Sequence, residues 1–412
     1  MLNPTRLYVL LFSLYWAQGL PVGFMTHALP VILRSQGVSL AQIGGFGLLM
    51  LPWSIKILWA PLVDRFGYSK IGHYRSWILP TQIFSVVILV ILSFYPIDAL
   101  GQTHYLFLFF VLLLFLNLTG ATQDIATDGL AVNLLKTDQQ HWGNTFQVIG
   151  SRLGFIVGGG VLLWALDWLS WQITFLGLAL AVLMNTIPIL YYKNEQTRIN
   201  NTAQLQYSLK DYFDHFTQSK ELRCWLLVLI SFKVADGLSG PLLKPLMVDM
   251  GLNFTQIGVY ITMFGAFAAL CGAAISGYLL KRYSRSMLLI LFSYLKILSL
   301  LAYAGLACAF GQNIKIPNMI IYLINAFEDA VSAMLLVVIL TLVMQYSRKT
   351  LAGTDFTFQV AIMATVGGGL YTVSGIVGDW LGYAVYLSSI VLIAMICMIP
   401  LYQWKKHYTK FK

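Results

Sequence analysis

The sequence predicts an all-α membrane protein of twelve transmembrane helices, built as two six-helix pseudo-repeats. Three observations carry this. The 412 residues are 58% hydrophobic and only 10% charged, with a mean hydropathy of +0.75, whereas a soluble domain is about 25% charged. Apolar runs of the roughly 20 residues needed to cross a bilayer occur twelve times. Short motifs recur at a nearly constant offset between the two halves.

In order, the runs cover residues 7–33, 40–61, 76–97, 104–135, 145–166, 171–192, 224–248, 255–280, 286–310, 317–346, 357–378 and 383–404. Gly19, Pro21, Gly23 and Pro30 interrupt the first run, and a kink is expected there. No A-x-A cleavage site follows it, so it is expected to be a retained helix. The fourth run continues without a turn signal through Asn117, Asp124 and Asp128. Gly158-Gly-Gly160 in the fifth and Gly367-Gly-Gly369 in the eleventh permit close helix packing. The longest polar segment divides the chain into an N-terminal bundle (1–192), a cytoplasmic linker (193–223) and a C-terminal bundle (224–412).

Lys and Arg set the orientation. With the N-terminus inside, nineteen of them fall in inner loops and tails, and only Arg34, Lys244 and Lys315 in outer loops. This bias places both termini in the cytoplasm. The net charge of +10 is therefore a topology signal directed at membrane lipid, and nucleic acid is not an expected partner. Four cations remain inside spans: Lys56, Arg152, Lys233 and Lys296.

The halves repeat. Gly37-Val-Ser-Leu-Ala-Gln42-Ile43-Gly44 matches Gly251-Leu-Asn-Phe-Thr-Gln256-Ile257-Gly258 at an offset of 214. Phe146-Gln147-Val148 matches Phe358-Gln359-Val360, and Asp167-Trp168-Leu169 matches Asp379-Trp380-Leu381, both at 212. Two parallel six-span halves resemble the major facilitator transporters, in which substrate binds near the midplane between halves.

Charges inside spans are costly and usually face a partner or a watery cavity. Asn117, Asp124 and Asp128 are spaced 7 and 4 residues apart, so they share one helix face. Lys56 or Arg152 is expected to pair with one of these carboxylates. Lys233 and Asp236 stand i, i+3 and can pair locally. Asn325, Glu328 and Asp329 fall mid-way along the tenth run. Glu328 is a proton-coupling candidate, because a protonated carboxyl group crosses a dry gate more easily than an anion. The candidates for proton coupling or gate pairing are thus Asp124, Asp128, Asp236, Glu328 and Asp329. Those for substrate or cavity charge are Lys56, Arg152, Lys233 and Asn325. Lys296 has no acid near it in sequence and is expected to snorkel or lie on a peripheral face. His27 is expected to be a hydrogen-bonded wall residue.

No G-x-x-x-x-G-K-[ST] loop, nucleophile elbow, C-x-x-C pair or metal-ligand spacing occurs. ATP, a metal, a cofactor and enzymatic catalysis are not expected. After the second run comes Ala60-Pro-Leu-Val-Asp64-Arg65-Phe-Gly67. It resembles the major facilitator loop signature G-x-x-x-D-R-x-G, with Ala in place of the first Gly. Asp64, Arg65 and Gly67 are expected at a cytoplasmic gate, with Lys281 and Arg282 in the equivalent place of the second half. Asp64 can sit near a helix N-terminus there.

Several segments together are similar to the rhizobactin/pyochelin permease family (RhtX/FptX type). They are Ala17-Gln-Gly-Leu-Pro-Val-Gly-Phe24, Lys56-Ile-Leu-Trp-Ala-Pro-Leu-Val-Asp-Arg65, Gln123-Asp-Ile-Ala-Thr-Asp-Gly-Leu-Ala131 and Thr354-Asp-Phe-Thr-Phe-Gln359. That family is related to the AmpG muropeptide permeases and the acetyl-CoA transporters, which share the Lys-x-Leu-Trp-Ala-Pro-x-x-Asp-Arg and Gln-Asp-Ile-x-x-Asp elements. The resemblance implies uptake of a siderophore, as ferric complex or free ligand, across the inner membrane of a Gram-negative bacterium. The carboxylates inside spans and the lack of an ATP loop add the expectation of proton coupling. The siderophore is expected to be anionic and the protein a monomer. A muropeptide or peptide permease and an exporter on the same fold are the alternatives.

Overall fold

The computed structural model describes every residue except 1–3, 37, 39–45, 69, 193–213, 254, 255 and 409–412. Most of the first repeat motif (residues 37–44) and most of the expected linker lie outside the described residues. Two compact units emerge. The first comprises residues 1–206 with 344–357, and the second 207–343 with 358–412.

In the first unit, α1 (Pro4–Gly23) passes into a π turn at Phe24–Ala28 and then α2 (Leu29–Ser35). The expected irregularity is thus a wide turn inside a continuous helical path rather than a break. The second apolar run, expected as one helix, is a chain of short pieces. A 3₁₀ turn (Phe46–Met50) leads to α3 (Leu51–Ile55), a further 3₁₀ turn (Lys56–Leu58) and α4 (Ala60–Arg65). Pro52 and Pro61 sit in the first turns of α3 and α4, where each removes an N–H and favours a new start over continuation. Then come α5 (Arg75–Ser93), α6 (Thr103–Leu134), α7 (Gln140–Phe155), a π turn at Ile156–Val161, α8 (Leu162–Trp168) and α9 (Trp171–Tyr191). The apolar core gathers around Phe24, Phe109 and Phe175, with Trp171 stacked on Phe175 at 4.0 Å.

The second unit holds α10 (Lys220–Asp249), a π turn at Ile257–Met263, α11 (Phe264–Leu280), α12 (Arg285–Gly311) and α13 (Asn318–Tyr346). Next are α14 (Ala352–Leu381), α15 (Tyr383–Ile396) and α16 (Met398–His407). Trp225 and Trp404 pack ring to ring at 5.5 Å, and the Trp225 indole donates to Gln359 Oε1 at 2.6 Å. Among the described residues ten helices are long and apolar enough to cross a membrane. The expected second span is in pieces, and the expected eleventh is the 30-residue α14.

The sequence repeat has a counterpart in packing. A Cβ added at Gly23 of α1 would lie 2.6 Å from the Phe155 Cα of α7. At Gly237 of α10 it would lie 2.8 Å from the Gly367 carbonyl oxygen of α14. Both glycines let two backbones touch at the same place in each half. Gly23→Ala should destabilise the protein by about 1–3 kcal/mol through overpacking against backbone that cannot move aside. A lowered unfolding temperature in detergent, absent in Gly160→Ala where a Cβ meets open space, checks this.

Candidate functional site

The stripe on α6 is the centre of the first unit. Each of its three polar residues takes a donor from a different element. Asn117 Oδ1 accepts from the Trp53 indole at 2.9 Å. Asp124 forms an ion pair with Lys56. Asp128 accepts from the Tyr15 hydroxyl at 2.7 Å and from Gln147 Nε2 at 3.3 Å. Lys56 is 3% exposed and stands in the 3₁₀ turn between the two proline-started helices. Its ammonium also lies 5.2 Å from the Trp53 ring centroid. Of the two expected cations, Lys56 therefore makes the pair and Arg152 does not. Arg152 is half-buried on α7 and forms no ion pair among the described residues. His27 faces the Phe155 ring edge-on at 6.4 Å.

In the second unit the interior charges form one connected cluster. Lys233 pairs with Asp236 at 2.9 Å, as the i, i+3 spacing predicts. Lys296 departs from expectation. It is 8% exposed, and its ammonium reaches Asp236 Oδ1 at 2.7 Å, Glu328 Oε1 and Ser332 Oγ at 2.8 Å. The acids it needs come from α10 and α13, far away in sequence, and burial without them would be prohibitive. Ser299 donates to Glu328 Oε2 at 2.6 Å and Ser332 to Oε1 at 3.0 Å. Asn325 accepts from Tyr303 at 3.0 Å and donates to Asp329 Oδ2 at 2.9 Å.

The loop signature is a capping site. Asp64 is 1% exposed and accepts from the backbone N–H groups of Gly353 (3.1 Å) and Thr354 (2.6 Å), the first turn of α14. Those N–H groups have no partner within the helix, and the positive end of the helix dipole favours the carboxylate. The Tyr74 hydroxyl adds a bond at 2.7 Å. Burial pushes the Asp64 carboxyl above the usual carboxylate value, and the donors from Thr354, Tyr74 and Gly353 oppose this. Tyr74 reaches Asp64 because Gly129 of α6 leaves room, since a Cβ there would lie 2.5 Å from the phenol ring. Just before α14, Arg348 grips Asp355 with two guanidinium bonds of 2.7 and 2.8 Å. Arg65, Gly67, Lys281 and Arg282 are exposed. Arg65 and Arg282 lie over the Phe66 and Tyr278 rings, and the three cations make no ion pair among the described residues.

Comparison with solved structures places this geometry. The fucose transporter FucP in its outward conformation superposes with a TM-score of 0.69 over 98% of this chain and 99% of its own, at 16% identity. A bacterial homologue of the iron transporter ferroportin gives 0.69 over 98% and 100%, at 15% identity. The chain has the major facilitator fold. Within that fold, residues 7–167 match the family model described as acetyl-coenzyme A transporter 1. The anhydromuropeptide permease of Escherichia coli K12 is 26% identical over 396 residues, covering 95% of this chain and 77% of the permease. A putative transporter AmpG 4 of Rickettsia conorii is 26% identical over 66% of this chain and 67% of its own length. The chain is thus a multi-pass membrane protein of the major facilitator fold, similar in sequence to an anhydromuropeptide permease and, over residues 7–167, to the acetyl-coenzyme A transporter model. The relatives named here are described as a permease and a putative transporter.

Sequence reasoning missed Tyr15, Tyr74, Ser299, Ser332 and the Arg348–Asp355 pair. It quoted Gln147 only as part of a repeat, although that repeat marked it. Gln147 bonds Asp128 in one half, while its counterpart Gln359 accepts from Trp225 and donates to the Val343 carbonyl in the other.

Proposed function

We propose that the chain is a proton-coupled secondary transporter that carries an anionic, peptide-bearing muropeptide across the cytoplasmic membrane by alternating access. Asp128 carries this reading. It is 1% exposed, it accepts from an uncharged phenol and an uncharged amide, and the Asp124 carboxyl lies beside it. No cation pairs with it among the described residues, whereas Asp124 one turn away has Lys56. A carboxylate held so in a membrane interior costs several kcal/mol, and a proton removes that cost. Asp128 is the group that loads and releases a proton during transport. Asp64, capping α14, belongs to the gate that opens and closes around it. Arg152, half-buried without a carboxylate, is available for an anionic substrate. The protein works as a monomer with both termini in the cytoplasm.

For the substrate, the alignment with an anhydromuropeptide permease over nearly the whole chain supports a muropeptide over the siderophore expected from the motifs. The siderophore reading keeps the resemblance of Ala17-Gln-Gly-Leu-Pro-Val-Gly-Phe24 and Thr354-Asp-Phe-Thr-Phe-Gln359 to the RhtX/FptX permeases. Reconstituted protein supplied with labelled anhydromuropeptide or a labelled ferric siderophore, under an imposed proton gradient, separates the two. Accumulation of the sugar peptide, abolished by a protonophore, is the expected result. Accumulation of the ferric complex alone would replace it with siderophore import. Movement of either only out of the cytoplasmic compartment would make the protein an exporter.

A further inference from the structure

The second unit contains a charge arrangement that the Asp128 chemistry does not use. Two lysines and two carboxylates form a chain: Lys233 to Asp236, Asp236 to Lys296, Lys296 to Glu328. Their charges sum to zero. The chain is asymmetric in exposure. The Lys233 side chain is 30% exposed, whereas Lys296 is 9% and Glu328 12%. Asp236 is held from both sides, with Lys233 on Oδ2 and Lys296 on Oδ1. Removing Lys233 from Asp236 therefore leaves Asp236 its buried partner. It also leaves two carboxylates sharing one lysine.

We propose that Lys233 is the docking point for a substrate carboxylate, and that its engagement loads one proton onto the Asp236–Lys296–Glu328 cluster. The proposal rests on the transport reading above and assigns it a substrate group and a second proton site. The argument is one of charge balance. When an anion takes Lys233, the three groups left behind carry a net charge of minus one, largely out of water. Two carboxylates close to one cation cannot both stay ionised cheaply, and one proton restores neutrality. When the anion leaves, Lys233 returns to Asp236 and the proton becomes surplus. Substrate carboxylate and proton thus enter and leave together, which is symport.

The surroundings favour this exchange. Ser299 and Ser332 both bond Glu328, and a hydroxyl can serve the acid as donor or its proton as acceptor. Asp329, next in sequence, is turned to Asn325, which Tyr303 also bonds. They are further polar and titratable groups from α12 and α13 near the cluster. Lys296 also lines a cleft within the second unit, together with Ser231 and Ser293. Lys296 is accordingly a positioning residue. It holds both acids close enough that they compete for a single proton.

The test needs no substrate, because neutralising Lys233 imitates anion docking. Infrared difference spectra of purified, monodisperse protein at pH 7 read the C=O stretch of a protonated carboxyl group. Relative to wild type, Lys233→Gln should add to this band the intensity of one group per molecule, and Lys233→Arg should add nothing. Lys233→Gln/Glu328→Gln or Lys233→Gln/Asp236→Asn should lose it again, since each double variant restores charge balance. Lys233→Met repeats the measurement should the Gln variant fail to fold. Absence of the added intensity from folded Lys233→Gln or Lys233→Met overturns the proposal, and so does its persistence in both double variants. The measurement involves no flux, so a negative result leaves the transport reading intact. Failure of uptake leaves the charge balance intact.

Discussion

Lys56→Ala should destabilise the protein by about 3–5 kcal/mol, the cost of leaving the Asp124 carboxylate buried without its cation. Lys56 is 3% exposed and Asp124 9%, so water cannot replace the lost partner without opening the bundle. The Trp53 ring would lose its cation as well. The loss is read as a fall in unfolding temperature and in the yield of monodisperse protein. The double variant Lys56→Met/Asp124→Leu should recover most of it, because removing both charges removes the desolvation penalty with the attraction. If Lys56→Ala is as stable as wild type, the pair is not buried in the membrane-embedded protein. If the double variant is stable yet inactive, the pair serves transport rather than folding.

Asp128→Asn should keep the fold and lose proton-driven accumulation. Asn presents an acceptor to Tyr15 and to Gln147 in nearly the same volume, so the two hydrogen bonds of 2.7 and 3.3 Å can persist. The amide cannot carry a proton through the cycle. One charge crossing 100 mV is worth about 2.3 kcal/mol, equivalent to about a 50-fold concentration ratio. The variant should therefore equilibrate its substrate where wild type concentrates it about 50-fold at that potential for each positive charge carried in beyond those that neutralise the anionic substrate. Substrate exchange across the membrane without a gradient should survive. Retained concentrative uptake in Asp128→Asn would move proton coupling away from this residue, leaving the Glu328 cluster as its seat.

The helical class and most of the spans were legible because apolar run length and Lys/Arg bias are properties of single segments. Interruption of the second span was less so. Pro52 and Pro61 were visible, but apolar content alone reads the run as one helix. Pairing within the site divided along the same line. Lys233–Asp236 was legible since both residues sit on one helix turn. Lys56–Asp124 was legible as one of several options, since both lie at one depth on neighbouring spans. Lys296 was misread because its acids sit 60 residues before it and 32 after it in the chain, and no local pattern brings α10 and α13 to α12. Tyr15 and Tyr74 were invisible for a related reason. An aromatic residue in an apolar run reads as packing, and only the fold shows which hydroxyl finds a carboxylate.

Gly129 carries a consequence for how this stretch of sequence can vary. Asp128 and Gly129 are neighbours in the chain but point about 100° apart on the helix. One bonds Tyr15, and the other makes the socket for Tyr74, whose hydroxyl reaches Asp64. Two adjacent letters thus obey unrelated constraints, one of charge and one of volume. A substitution that adds a single methyl at 129 leaves the acid untouched, yet dislodges the phenol from a carboxylate 65 positions earlier. Inheritance of the Asp without the Gly would leave a chain with the carboxylate at 128 intact and the Tyr74–Asp64 bond lost.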